Sequence, residues 1–162
     1  MKVDFPEPKI PMDDWKKKVS NEKDDEEKFK WIKENFEPEA YSFWKLDYDK
    51  LDTELKIELV SRNQVIGFFN RCESFRNHVY CVQVLMGEEE NYNIRGVWFW
   101  KGPEKLPNLE ENTSAEYFHY RKLDINSEED WKLIKEYLSL TDDDIDKKKI
   151  ENETVRYIVN YK

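Results

Sequence analysis

"NIRGVWFWKG", residues 93–102, sets Val97, Trp98, Phe99 and Trp100 in one unbroken apolar run between Gly96 and Gly102. Neighbouring side chains of an extended strand point to opposite faces, so Val97 and Phe99 share one face and Trp98 and Trp100 the other. A half-buried strand alternates apolar with polar residues, and this run does not. It predicts a strand covered on both sides, and therefore an internal one. Helices elsewhere in the chain can cover one face. The other needs curvature of the sheet, a terminal segment or a partner.

Further strands lie on either side of this run. "YSFWKLDY" (41–48) puts Trp44, Leu46 and Tyr48 on one face and Phe43 and Lys45 on the other. "LKIELV" (55–60) alternates more cleanly and predicts a strand with Leu55, Ile57 and Leu59 inward. "HVYCVQVLM" (78–86) and "AEYFHYRKL" (115–123) complete a set of about five, and Val155–Val159 can add another. The period changes to that of a helix at 63–77, where Val65, Phe68, Phe69, Cys72 and Phe75 form a stripe. It changes again after Ser127, a helix-capping residue followed by Glu128, Glu129 and Asp130, with Trp131, Ile134, Tyr137 and Leu138 as the apolar face. Phe29, Ile32 and Phe36 mark an earlier helix that Pro38 stops, and Asp13 or Asp14 can cap a short one through Val19. Helices and antiparallel strands without alternating βαβ units indicate an α+β domain. Residues 1–10, with Pro6 and Pro8, read as an extended lead-in, and 11–162 as one compact domain.

The chain has 162 residues, 38% hydrophobic but 15% aromatic, so a few large rings supply much of the buried area. Twenty-seven basic residues against 36 acidic ones leave a net charge of −9, and neither half is a basic module. Phosphate backbones are gripped by Lys and Arg clusters, so no direct nucleic-acid binding is expected. No apolar run approaches the ~20 residues that span a bilayer. The opening "MKVDFPEPKIPMDDW" lacks the apolar centre of a signal peptide, and cytoplasm is the expected compartment. Cys72 and Cys81 read as two buried thiols rather than a disulfide.

Chemistry-bearing patterns are sparse. Two His and two Cys show no metal-ligand spacing, and four glycines, at 67, 87, 96 and 102, cannot write a phosphate loop. No nucleophile–base motif occurs, so neither enzyme activity nor a cofactor is expected. Paired carboxylates in "DYDKLD" and "GEEEN" read as solvated faces. His119 shares a strand face with Tyr117 and Arg121, either as a surface histidine or as a polar anchor of a recognition patch. Trp98 and Trp100 serve either as core or as a stacking platform for sugars, so a carbohydrate- or small-ligand-binding domain is the alternative function. The expectation is that Val97 and Phe99 pack under the helices at 63–77 and 127–140. Trp98 and Trp100 then face a concave side near Tyr117 and Arg121. These two tryptophans with Tyr117, His119 and Arg121 form the candidate partner site, since Trp, Tyr and Arg dominate interface hot spots.

"MDDWKKKVSN", "NQVIGFFNRCESFRN", "RGVWFWKG" and "YRKLDINSEEDWKLIKEY" together resemble the carboxyl-terminal domain of eukaryotic translation elongation factor 1-gamma, in order and spacing, from about residue 11 to 140. The resemblance rests on Gly96-Val97-Trp98, on Arg121 to Asp124 with Ser127, and on Gly67-x-Phe69. It implies an antiparallel sheet flanked by helices and curved into a lens with a cleft. It also implies a non-catalytic scaffold subunit of the elongation factor 1B complex, supporting delivery of aminoacyl-tRNA in protein synthesis. Its partners would be protein subunits of that complex, and the isolated domain would be monomeric. The family's glutathione-transferase-like domain and lysine-rich linker do not occur in these residues. "EKDDEEK" and the ending "NETVRYIVNYK" depart from its pattern.

Overall fold

A computed structural model describes residues 8–50, 54–70, 78–103 and 118–161. Helices α1 (Met12–Asn21) and α2 (Asp25–Asn35) precede strand β1 (Tyr41–Tyr48). Helix α3 (Glu58–Asn70), β2 (Val79–Glu88), β3 (Asn91–Lys101), β4 (Phe118–Leu123), α4 (Glu128–Leu138), β5 (Lys149–Ile150) and β6 (Glu153–Tyr161) follow. The strands form one curled antiparallel sheet in the order β4-β1-β3-β2-β6-β5. The run at 97–100 lies in β3, between β1 and β2, as its two apolar faces require.

Register sorts the side chains. Phe43 opposes Phe99 and Trp44 opposes Trp98, while across β2 Val82 opposes Val97 and Cys81 opposes Trp98. On one face Phe43, Val82, Val97 and Phe99 meet α1, α2 and α4 through Met12, Trp15, Ile32, Ile134 and Tyr137. Trp15 stacks on Phe99 with centroids 3.9 Å apart. On the other face Trp44, Leu85, Ile94, Trp98 and Trp100 pack with Leu55 and with Val65 of α3. Trp44 stacks on Trp100 at 5.2 Å, an offset geometry that aromatic pairs favour. Gly96 permits the close approach of β2: a Cβ there would meet Val82 O at 2.8 Å and collide with Gln83 Oε1, which instead accepts from Trp98 Nε1 at 2.8 Å.

Three expectations are corrected. Residues 55–60 are not a strand. Leu55 adopts φ +56°, Leu55 O and Lys56 O accept from Tyr92 N and Glu90 N at the β2–β3 turn, and α3 begins at Glu58. The apparent alternation is a short helix entry: Ser61 and Val65, four apart, are buried, whereas Ile57 and Val60 are 62% and 59% exposed. The helices expected together over Val97 and Phe99 lie on opposite faces, with α4 on that side and α3 on the tryptophan side, so each face has its own cover. Finally, Pro11, not Asp13 or Asp14, occupies the cap position of α1, with both aspartates in the first turn. Ser127 caps α4 as read, accepting from Asp130 N, and Asp24, which the sequence reading did not single out, caps α2 by accepting from Glu26 N and Glu27 N. Cys81 is buried, while Cys72 and the rest of 71–77 lie outside the described residues.

Candidate interaction surface

A polar cluster lies in the interior on the face covered by α1, α2 and α4. Lys45 follows Phe43 on β1, and its side chain is only 3% exposed. Transferring an ammonium out of water costs several kcal/mol unless it is paired. Here Lys45 Nζ donates to Asp47 and, at 2.9 Å, to Glu151, and it lies 5.3 Å from the ring centroid of Tyr137 on α4. The Tyr137 hydroxyl donates to the same Glu151 oxygen at 2.8 Å. Arg95 on β3 pairs with Glu153 and stands 3.9 Å from Glu151.

A two-residue hairpin brings these carboxylates in. Ile150 pairs with Glu153, and the intervening Glu151 and Asn152 both have positive φ, +53° and +68°, the twist that suits a tight turn between right-twisted strands. Burial pushes the Glu151 carboxyl up, but the Lys45 charge and hydrogen bond, the Tyr137 hydroxyl and Arg95 outweigh it and hold the pKa below the ordinary value. Burial, reinforced by Glu151, drives the Tyr137 phenol well above its ordinary range. At neutral pH Glu151 is therefore ionised and the Tyr137 phenol protonated. The cluster ties β1, β3 and α4 to the β5–β6 turn as a structural lock.

Glu151 also lines a polar cleft of about 550 Å³ between β4, α4 and the β5–β6 turn. Arg121 Nη1 donates to Asp130 Oδ1 at 2.7 Å across this cleft, and Asp124 N donates to Asp130 Oδ2 at 2.9 Å. Burial raises the Asp130 pKa, but these hydrogen bonds and the Arg121 charge leave it below the ordinary carboxylate value. His119 Nε2 stands 3.5 Å from Asp49, with three quarters of its side chain in solvent.

The expected patch is thus divided. His119 and Arg121 oppose Asp47 and Lys45 and belong to the side covered by α1, α2 and α4, and both are exposed. Trp98 and Trp100 belong to the other side and are 0% exposed, so they neither adjoin Arg121 nor line an open concavity. Tyr117 lies outside the described residues. Sequence reasoning passed over Lys45, Tyr137 and Glu151. The visible signal was a lysine set among the apolar residues of β1, sharing a face with Phe43. No group of His, Cys, Asp and Glu suited to a metal ion occurs among the described residues. No described helix is long and apolar enough to cross a membrane.

Residues 2–104 match the family model of the elongation factor 1 gamma conserved domain, nearly two thirds of the chain. The chain belongs to the elongation factor 1-gamma family. Elongation factor 1-gamma 1 of Saccharomyces cerevisiae is 35% identical over 123 residues, covering 76% of this chain and 29% of that protein. Elongation factor 1-gamma of Drosophila melanogaster is 33% identical over 139 residues, 85% of this chain and 32% of its own. Elongation factor 1-gamma-A of Xenopus laevis is 33% identical over 137 residues, 83% and 31% respectively. The chain therefore spans about three tenths of the length of these relatives. Within this family member, the run "GVWFW" is the internal strand on which both halves of the core are built.

Proposed function

We propose that this chain is a non-catalytic interaction module of the translation elongation machinery. In this reading it joins protein subunits of the elongation factor 1 complex in the cytoplasm and supports delivery of aminoacyl-tRNA without binding nucleic acid itself. Residues 11–162 act as one domain, monomeric in isolation. Family membership sets the machinery. The observation that carries the interaction role is the closure of the tryptophan face: Trp98 and Trp100 are fully buried under Leu55 and Val65, so a sugar or base has no ring to stack on there. Contact with a partner then falls to the outer surface, where His119 and Arg121 stand exposed on β4.

The test is a pulldown from a eukaryotic cell extract with the tagged chain, alongside a glycan-binding screen. Recovery of elongation factor subunits, reduced by the exposed-surface variants His119→Glu and Arg121→Glu, is the expected result. Saturable glycan binding without any elongation factor subunit would replace this reading with that of a carbohydrate-binding domain.

A further inference from the structure

The sheet ends in β4 on one side and, past the two-residue β5, in β6 on the other. A strand edge carries a row of unpaired N–H and C=O groups and pairs readily with a further strand unless something blocks it. Charge blunts β4, where Arg121 and Lys122 follow His119 within six residues. On β6 only the first part is blocked. β5 pairs with Glu153 and Thr154, Val155 N donates to Lys148 O at 2.9 Å, and Val155 O accepts from Asp146 N at 2.8 Å. Beyond Val155 no backbone group among the described residues bonds to the outer edge. Tyr157, Ile158, Val159 and Asn160, which follow, include neither a charge nor a proline.

Register shows which groups are open. Opposed residues of antiparallel strands alternate between hydrogen-bonded and non-bonded pairs. Val155 turns its N–H and C=O away from β2, so Met86–Val155 is a non-bonded pair. The register shift beside it sets Leu85 against Tyr157, which makes Leu85–Tyr157 and Gln83–Val159 the bonded pairs. Ile158 and Asn160 therefore direct their N–H and C=O outward. The strand is held in place: Arg156 Nε donates to Gly87 O at 2.9 Å, and the guanidinium pairs with Asp146 at 2.9 Å and Glu88 at 2.8 Å. Arg62 of α3 lies 5.0 Å from the Tyr157 ring centroid. A ligand would not have to order this edge first, which favours binding. Outward N–H and C=O groups at strand spacing fit an extended polypeptide. Tyr157, Ile158 and Val159 are half-buried and leave apolar surface on both faces, beside which β-branched and aromatic neighbours are favoured. A net charge of −9 on each chain opposes a second copy and favours a basic segment.

We propose that the outer edge of β6 takes up an extended segment of a partner protein as an added strand, a segment of β-branched and aromatic residues with basic flanks. The inference rests on the reading of the chain as an interaction module. The probe is the peptide acetyl-Lys-Thr-Val-Tyr-Val-Thr-Lys-amide, titrated into isotope-labelled protein and followed by NMR. The expected result is saturable shifts centred on the Ile158 and Asn160 amides. At saturation both amides should exchange with solvent at least about tenfold more slowly, as newly bonded groups do. Asn160→Pro removes an outward N–H that β2 does not use, a place where an edge strand tolerates proline. It should weaken binding by at least about fivefold with the thermal melt little changed, through the lost hydrogen bond and the ring set against the incoming strand. Replacing both peptide lysines by glutamate should weaken binding about two- to fivefold, the range of surface charge pairs.

Unchanged exchange of Ile158 and Asn160 at saturating peptide, shifts confined to another surface, or indifference to Asn160→Pro would overturn the proposal. Equal or tighter binding of the glutamate-flanked peptide would overturn its choice of a basic partner segment. Slowing of the same amides on raising protein concentration alone would also overturn it, by assigning the edge to a second copy. Failure to recover elongation factor subunits while the peptide still binds would overturn the identity of the machinery and leave the added strand standing. Recovery of those subunits without any peptide binding would do the reverse.

Discussion

Glu151→Ala tests the lock between the β5–β6 turn and the sheet. The substitution removes one of the two carboxylates that neutralise Lys45, together with the acceptor of the Tyr137 hydroxyl. Breaking a fully buried pair by deleting one partner costs about 3–5 kcal/mol, and a hydrogen bond to a charged acceptor contributes about 1.5–3 kcal/mol. Asp47 still faces Lys45, and the Glu151 side chain is 30% exposed, so the loss belongs at the low end, about 2–3 kcal/mol. For a domain of this size that is roughly 4–12 °C in melting temperature. Urea unfolding followed by tryptophan emission reads it directly, because Trp98 and Trp100 pass from full burial to water. Glu151→Gln, which keeps an acceptor without the charge, should cost less. A double-mutant cycle with Lys45→Met should give a coupling above about 1 kcal/mol, as contacting residues do. A loss under about 0.5 kcal/mol for Glu151→Ala, the range of ordinary surface substitutions, would refute the reasoning.

The same carboxylate predicts an acid response. Its folded pKa is depressed below the ordinary 4.5, so its stabilisation is fully present above that value and is lost as pH falls through the lower folded pKa. Carboxyl-detected NMR should find the Glu151 midpoint below 4.5, and Glu151→Gln should flatten the stability profile in that acid window. Phe99→Ala and Trp100→Ala, one on each sealed face, should each cost about 3–5 kcal/mol in urea unfolding, with neither markedly milder. Asp24→Ala should cost about 1 kcal/mol by removing the acceptor for Glu26 N and Glu27 N at the start of α2, whereas Asp13→Ala, which caps nothing, should be nearly silent.

Local and periodic features were legible in the chain itself. The unbroken run Val97–Trp100 specified an internal strand because no single-faced strand has a use for four consecutive bulky apolar residues. Ser127 and the stripe Trp131, Ile134, Tyr137 and Leu138 specified α4, since capping and helical spacing act within a few residues of chain. Residues 55–60 misled because alternation over six positions is satisfied equally by a strand and by a turn entering a helix. Backbone bonds to the β2–β3 turn made the choice. Which helix covers which face depended on where the chain crosses the sheet, a property no local period encodes, and it sealed Trp98 and Trp100 away from Arg121. The pairing of Lys45 with Glu151, 106 positions later, likewise exists only once the hairpin turn closes against β1 and α4. A buried ammonium takes whichever carboxylate the fold delivers, and that delivery is decided by tertiary packing alone.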